Sequence, residues 1–145
     1  MKKFAFRLES VLRLRGMQLL TEKEKLAHLL GEVNKLEQSL AALSREKLAA
    51  VNFVQTEPSI GSTELRALSA FLLAFDARCA AIRDAIQRAA AQVAAQRQRV
   101  VEADRNERLL IEMKKKRLAE WRHEADHEVE TMAEESWNSI HGSRG

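Results

Sequence analysis

Tyrosine is absent from this 145-residue chain, cysteine and proline occur once each, glycine five times, and aromatic residues make up 5%. Turns draw on glycine and proline, and strands on aromatic and β-branched residues, so these shortages exclude a sheet-rich fold with many turns. A lone Cys79 excludes an intramolecular disulfide and fits a reducing compartment. No apolar run approaches the roughly 18 residues that a membrane span needs. Arg7, Glu9 and Arg13 interrupt any signal-peptide core behind Lys2 and Lys3, so the expected location is cytoplasmic. No phosphate-binding loop is present, and a net charge of only +3 gives little pull toward nucleic acid.

Charged residues, by contrast, reach 31%, and Ala, Leu, Glu, Lys and Arg are abundant, which is the composition of long helices. Leu26, Leu29, Val33, Leu36, Leu40, Leu43, Lys47, Ala50 and Val54 alternate spacings of three and four. Such a series keeps a narrow apolar stripe on one side of a helix, broken here only by Lys47. The stripe needs a second helix along its length, so the chain buries a seam rather than a three-dimensional core and leaves little room for a catalytic pocket. Extended backward, the seam reaches Leu19, Leu12 and Leu8 but also Glu22 and Arg15, and Gly16 and Gly31 lie within the same helix.

One strong breaker, Thr56-Glu57-Pro58-Ser59-Ile60-Gly61-Ser62-Thr63, divides the chain. Pro58 removes a backbone donor and disfavours helix at Glu57, Gly61 offers a positive φ, and Ser62 or Thr63 offers a cap. A connection this short joins antiparallel neighbours. The expectation is therefore all-α: one coiled-coil domain spanning 1–145, built as an antiparallel two-helix hairpin. Helix 1 covers about 7–55, the bend 56–63, helix 2 about 64–138, and a disordered tail 139–145. The second seam reads Leu65, Leu68, Leu72, Phe75, Cys79, Ile82, Ile86, Ala89, Val93, Gln96, Val100, then slips by a four-residue insertion to Ile111, Leu118, Ala125 and Met132. Folding back near residue 60 sets residue 8 opposite about residue 113 and leaves roughly 118–138 as an overhang without an intramolecular partner.

Charge is unevenly spread. Residues 1–20 hold Lys2, Lys3, Arg7, Arg13 and Arg15 against Glu9, and residues 97–117 end in Lys114-Lys115-Lys116-Arg117. Residues 118–136 reverse the sign, with seven acids and one arginine. The hairpin brings the two basic stretches side by side, an electrostatic dock for an acidic surface. His123-Glu124-Ala125-Asp126-His127 fits the H-E-x-x-H zinc pattern, but Asp126 stands where such enzymes carry an apolar residue, and neither a third ligand nor a substrate cleft is evident. No metal, other cofactor or small-molecule substrate is expected, and no nucleic acid. Near the bend, Leu48 and Leu73 fall at b and Phe53 and Phe71 at g, outside a two-helix seam; Phe53, Phe71 and Leu73 form a candidate partner patch at the tip.

The opening Phe4-Ala5-Phe6-Arg7-Leu8-Glu9-Ser10-Val11-Leu12-Arg13-Leu14-Arg15 resembles that of the bacterial flagellar export protein family FliJ, whose members often start F-x-F-R-L-E with more arginine behind it. The resemblance continues through length, a bend near residue 60, Glu107-Arg108, Lys114-Lys115-Lys116-Arg117-Leu118 and an acidic ending, loosely matched by Glu134-Glu135-Ser136-Trp137. It implies a non-enzymatic component of the flagellar type III export apparatus: a stalk-like coupling subunit of the hexameric export ATPase and general export chaperone. It further implies contact with the export gate membrane protein and export chaperones, and peripheral association with the inner-membrane apparatus. Phe4, Phe6, Arg7, Arg13, Lys115, Arg117 and Trp121 are the candidates for ATPase contact, and the tip patch for the gate. The rival expectations are a coiled-coil adaptor or stalk of another secretion system, or a basic helical nucleic-acid-binding protein.

Overall fold

In a computed structural model that describes residues 2–142, two helices account for nearly all of the backbone: α1, Glu9–Thr56, and α2, Ser62–Gly142. They pack against each other as a hairpin, and there is no strand among the described residues. Every first-seam position from Leu26 to Val54 is half-buried, as the three-four spacing requires. On α2 the same seam buries Phe75, Cys79, Ala89, Val93 and Gln96, while Leu65, close to the bend, stays 48% exposed.

The connection forms where the sequence breaks. Glu57 still donates to the carbonyl oxygen of Phe53 at 3.1 Å, and Pro58, which has no N–H, follows at once. Leu65 donates to the Gly61 carbonyl oxygen at 3.2 Å, so α2 opens with Gly61 in the cap position rather than Ser62 or Thr63, and Glu64 sits in the first turn. Gly61 does not take the positive φ its type allows. Pro58 and Ser59 make the turn, which leaves Gly61 free to start the helix.

Helix bounds differ from expectation at three ends. α1 starts at Glu9, not about residue 7, because residues 2–6 lie outside any helix and Glu9 donates to the Phe6 carbonyl oxygen in a tight turn. α2 starts at Ser62 and runs to Gly142, so residues 139–142, expected as disordered tail, are helical. Local contacts carry the helix past Asn138: the Ser139 hydroxyl donates to the Ser136 carbonyl oxygen, and the His141 ring stacks on Trp137 at 4.0 Å. The remainder of that expected tail, 143–145, lies outside the described residues.

The contacts divide into two compact units, Thr21–Val100 and the pair Met1–Leu20 with Val101–Gly145. In a helix pair each side chain meets only those opposite it and a turn away, so no single centre collects the whole chain. The first unit contains the bend. Lys47, the break in the seam, lays its stem along it and places Nζ 3.0 Å from Asp76 Oδ1 and 6.0 Å from the Phe75 ring centre. Farther from the bend, buried Gln96 donates from Nε2 to the Glu22 carbonyl oxygen at 3.0 Å and to the Glu22 carboxylate. A carboxylate at a seam position is thus satisfied by an amide across the pair.

In the second unit α2 turns Leu118, Trp121 and Ala125 inward, and residues 2–8 lie along them: Phe4 meets Trp121 at 6.1 Å between ring centres. Residues 118–125 therefore have an intramolecular partner that heptad counting did not supply, because the covering segment is not helical. Beyond Ala125 every described residue of α2 is exposed, so the overhang starts near 126 rather than 118.

Candidate partner-binding surfaces

Two regions carry the candidate residues, one in each unit. At the unit holding the N-terminal segment, α1 begins beside the basic run of α2. Glu9 Oε2 lies 2.8 Å from Lys114 Nζ, which fixes residue 9 against residue 114 and neutralises that lysine. Phe6, Arg7, Leu8, Met113 and Arg117 line one groove with Ala5. Its lining combines apolar side chains with two guanidinium groups, an arrangement suited to an acidic side chain next to a hydrophobic one. Beside it, Lys2, Trp121, Glu124, Ala125 and Glu128 line a second groove, next to the Phe4–Trp121 contact.

Of the seven residues expected at this surface, Phe6, Arg7, Arg117 and Trp121 line these grooves and Phe4 packs on Trp121; Arg13 and Lys115 line neither. Within the run, Lys115 pairs with Glu112 at 3.5 Å and Arg117 with Glu120 at 3.6 Å, both exposed contacts a turn apart that hold little energy. Among the described residues Arg7, Arg13 and Lys116 form no ion pair. Met113 and Leu8 were missed, because a groove made where a non-helical segment meets a helix leaves no periodic signal.

At the bend, Phe53 and Leu73 are 65% and 72% exposed, and Leu48 is exposed beside them in sequence register. Phe71 is partly covered by its own helix: its ring packs 6.0 Å from that of Phe75, which is buried. The pairing of Lys47 with Asp76 sets Phe53 opposite about residue 70, within a turn of Phe71.

His123 and His127 are both exposed, and among the described residues no three His, Cys, Asp or Glu side chains converge where a metal could be held. No helix of the described residues is long and apolar enough to cross a membrane.

No curated protein and no solved structure gave a match to the chain. Residues 3–132 match the family described as Flagellar FliJ protein, a span that takes in the aromatic-arginine opening, α1, the bend, the basic run and most of α2. With most of its length in that match, and with the two-helix architecture found, the chain belongs to the FliJ family and is a component of flagellar protein export.

Proposed function

We propose that the chain acts as a stalk-like coupling subunit of the hexameric flagellar export ATPase and as a general export chaperone, a cytoplasmic protein that associates peripherally with the inner-membrane export apparatus and has no chemistry of its own. The observation that carries this reading is the groove lined by Phe6, Arg7, Met113 and Arg117, beside the Phe4–Trp121 contact. It presents cations and aromatic surface together, and such surfaces steer acidic partners and then anchor them. Phe4, Phe6, Arg7, Arg117 and Trp121 make the ATPase contact, with Arg13 and Lys115 adding long-range attraction. The exposed Phe53 and Leu73, with Phe71, form the surface for the export gate membrane protein, and export chaperones are the remaining partners. Family membership supports the export role, and the paired helices support a stalk.

The test is a pull-down of the export ATPase with the chain and with a variant carrying Lys114→Glu, Lys115→Glu, Lys116→Glu and Arg117→Glu. Binding falls in the variant, and falls for the native chain as salt rises, while helicity stays the same. Binding that ignores both changes refutes the dock.

A further inference from the structure

We propose that residues 126–142 of α2 are a docking site for a basic amphipathic helix of another protein. The first observation is an uncovered stripe. Trp121, Ala125, Val129 and Met132 follow one another at spacings of four, four and three, so Val129 and Met132 continue the face that Phe4 and Lys2 cover up to Ala125. An eleven-residue pattern of this kind runs straight along a helix. Val129 and Met132 are 56% and 68% exposed. Among the described residues the cover reaches Ala125, while the stripe continues.

The second observation is the charge around it. Asp126, Glu128, Glu130, Glu134 and Glu135 lie along these turns, and no Lys or Arg occurs from His123 to Gly142. Among the described residues none of the five carboxylates forms an ion pair. At helical angles Asp126 borders the stripe on one side, Glu128 and Glu135 on the other, and Glu130 lies on the far face. An apolar stripe with acids on both borders selects a helix with apolar residues facing it and Lys or Arg at its edges. Two copies of the segment laid against each other would set carboxylates against carboxylates, which disfavours self-pairing. A lone segment of this length is marginal in water, so a partner helix also stabilises it. The proposal is independent of the ATPase contact.

The experiment uses the full chain and reads peptide binding by fluorescence anisotropy. The probe is a synthetic three-heptad peptide with leucine at a and d and lysine at e and g; the control has glutamate at e and g. The lysine peptide, carrying a fluorophore, shows a saturable upward shift in anisotropy as the chain is added. The glutamate peptide binds at least on the order of tenfold more weakly. Glu128→Gln, Glu130→Gln, Glu134→Gln and Glu135→Gln together keep helix-forming side chains and weaken the lysine peptide by a similar factor. Met132→Asp removes the shift. Equal response to both peptides, or no response to the lysine peptide, overturns the proposal. So does a doubling of mass by light scattering, without peptide, that Met132→Asp abolishes, since that names a second copy as the occupant.

Discussion

Gln96 reaches across the helix pair and donates to both the main-chain carbonyl and the side-chain carboxylate of Glu22, while itself 4% exposed. A polar pair in an apolar seam is satisfied only when these two residues face each other. It therefore ties one register of α1 on α2 to the hydrogen bonds, at some loss of stability relative to leucine.

Gln96→Ala removes the donor and leaves a gap, and is expected to cost about 1–3 kcal/mol. Glu22→Leu with Gln96→Leu is expected to recover that loss or exceed it, because apolar replacement of both partners avoids the desolvation of either. Urea unfolding followed by circular dichroism measures both. A double variant less stable than Gln96→Ala contradicts this account of the pair.

The seam itself is tested at Leu36, half-buried midway along α1. Leu36→Asp sets an unpaired charge against the facing helix and lowers Tm, by an expected loss of about 2–4 kcal/mol. Glu37→Ala, one residue on and exposed, leaves the melting curve within about 0.5 kcal/mol of the native one. Equal effects at the two positions mean the seam runs elsewhere.

Two glycines inside α1 separate propensity from packing. A Cβ on Gly31 meets nothing within 4 Å, so Gly31→Ala is expected to gain about 0.5–1 kcal/mol. A Cβ on Gly16 comes 3.3 Å from Glu107 Oε2, the mobile end of a side chain, so Gly16→Ala gains less as that carboxylate moves aside. Thermal melts of the two variants compare them; a larger gain at Gly16 contradicts the contact.

Phe4→Ala removes the ring that meets Trp121. An aromatic pair of this kind contributes about 0.5–1.5 kcal/mol beyond its buried area, so Tm drops slightly. In a chain carrying Trp137→Phe, emission from Trp121 moves to longer wavelength as water reaches it. Unchanged emission means the N-terminal segment does not cover Trp121.

The periodic part of the fold was legible in the sequence. Leu26 through Val54 turn inward because three-four spacing leaves no other face apolar, and Pro58 breaks the helix because it lacks an N–H. Glu9 meeting Lys114 follows from counting back from the bend. What was not legible is what lacks a period. Residues 2–8 form no helix, so their cover over Leu118 to Ala125 could not be counted, and the overhang was placed about eight residues too early. Residues 139–142 read as part of a disordered tail, yet the Trp137–His141 stack and the Ser139 hydroxyl hold them in α2. Gln96 and Glu22 were each visible as polar breaks in a seam. Their pairing was hidden because it depends on the offset between helices rather than on either helix alone.

The account depends most on the start of α1 lying beside the basic run of α2 within one molecule, and a distance between spin labels measures that directly. The labels go on Ser10→Cys and Glu112→Cys, both exposed, in a chain whose only native cysteine is removed by Cys79→Ala. Packed helix axes lie roughly 8–10 Å apart, so a narrow distribution on the order of 20–30 Å is expected once the label arms are included, unchanged on dilution with unlabelled chain. Helices laid end to end would separate the labels by on the order of 140 Å. A distance out of range, or a short one that vanishes on dilution, contradicts the hairpin and the grooves built at its joined end.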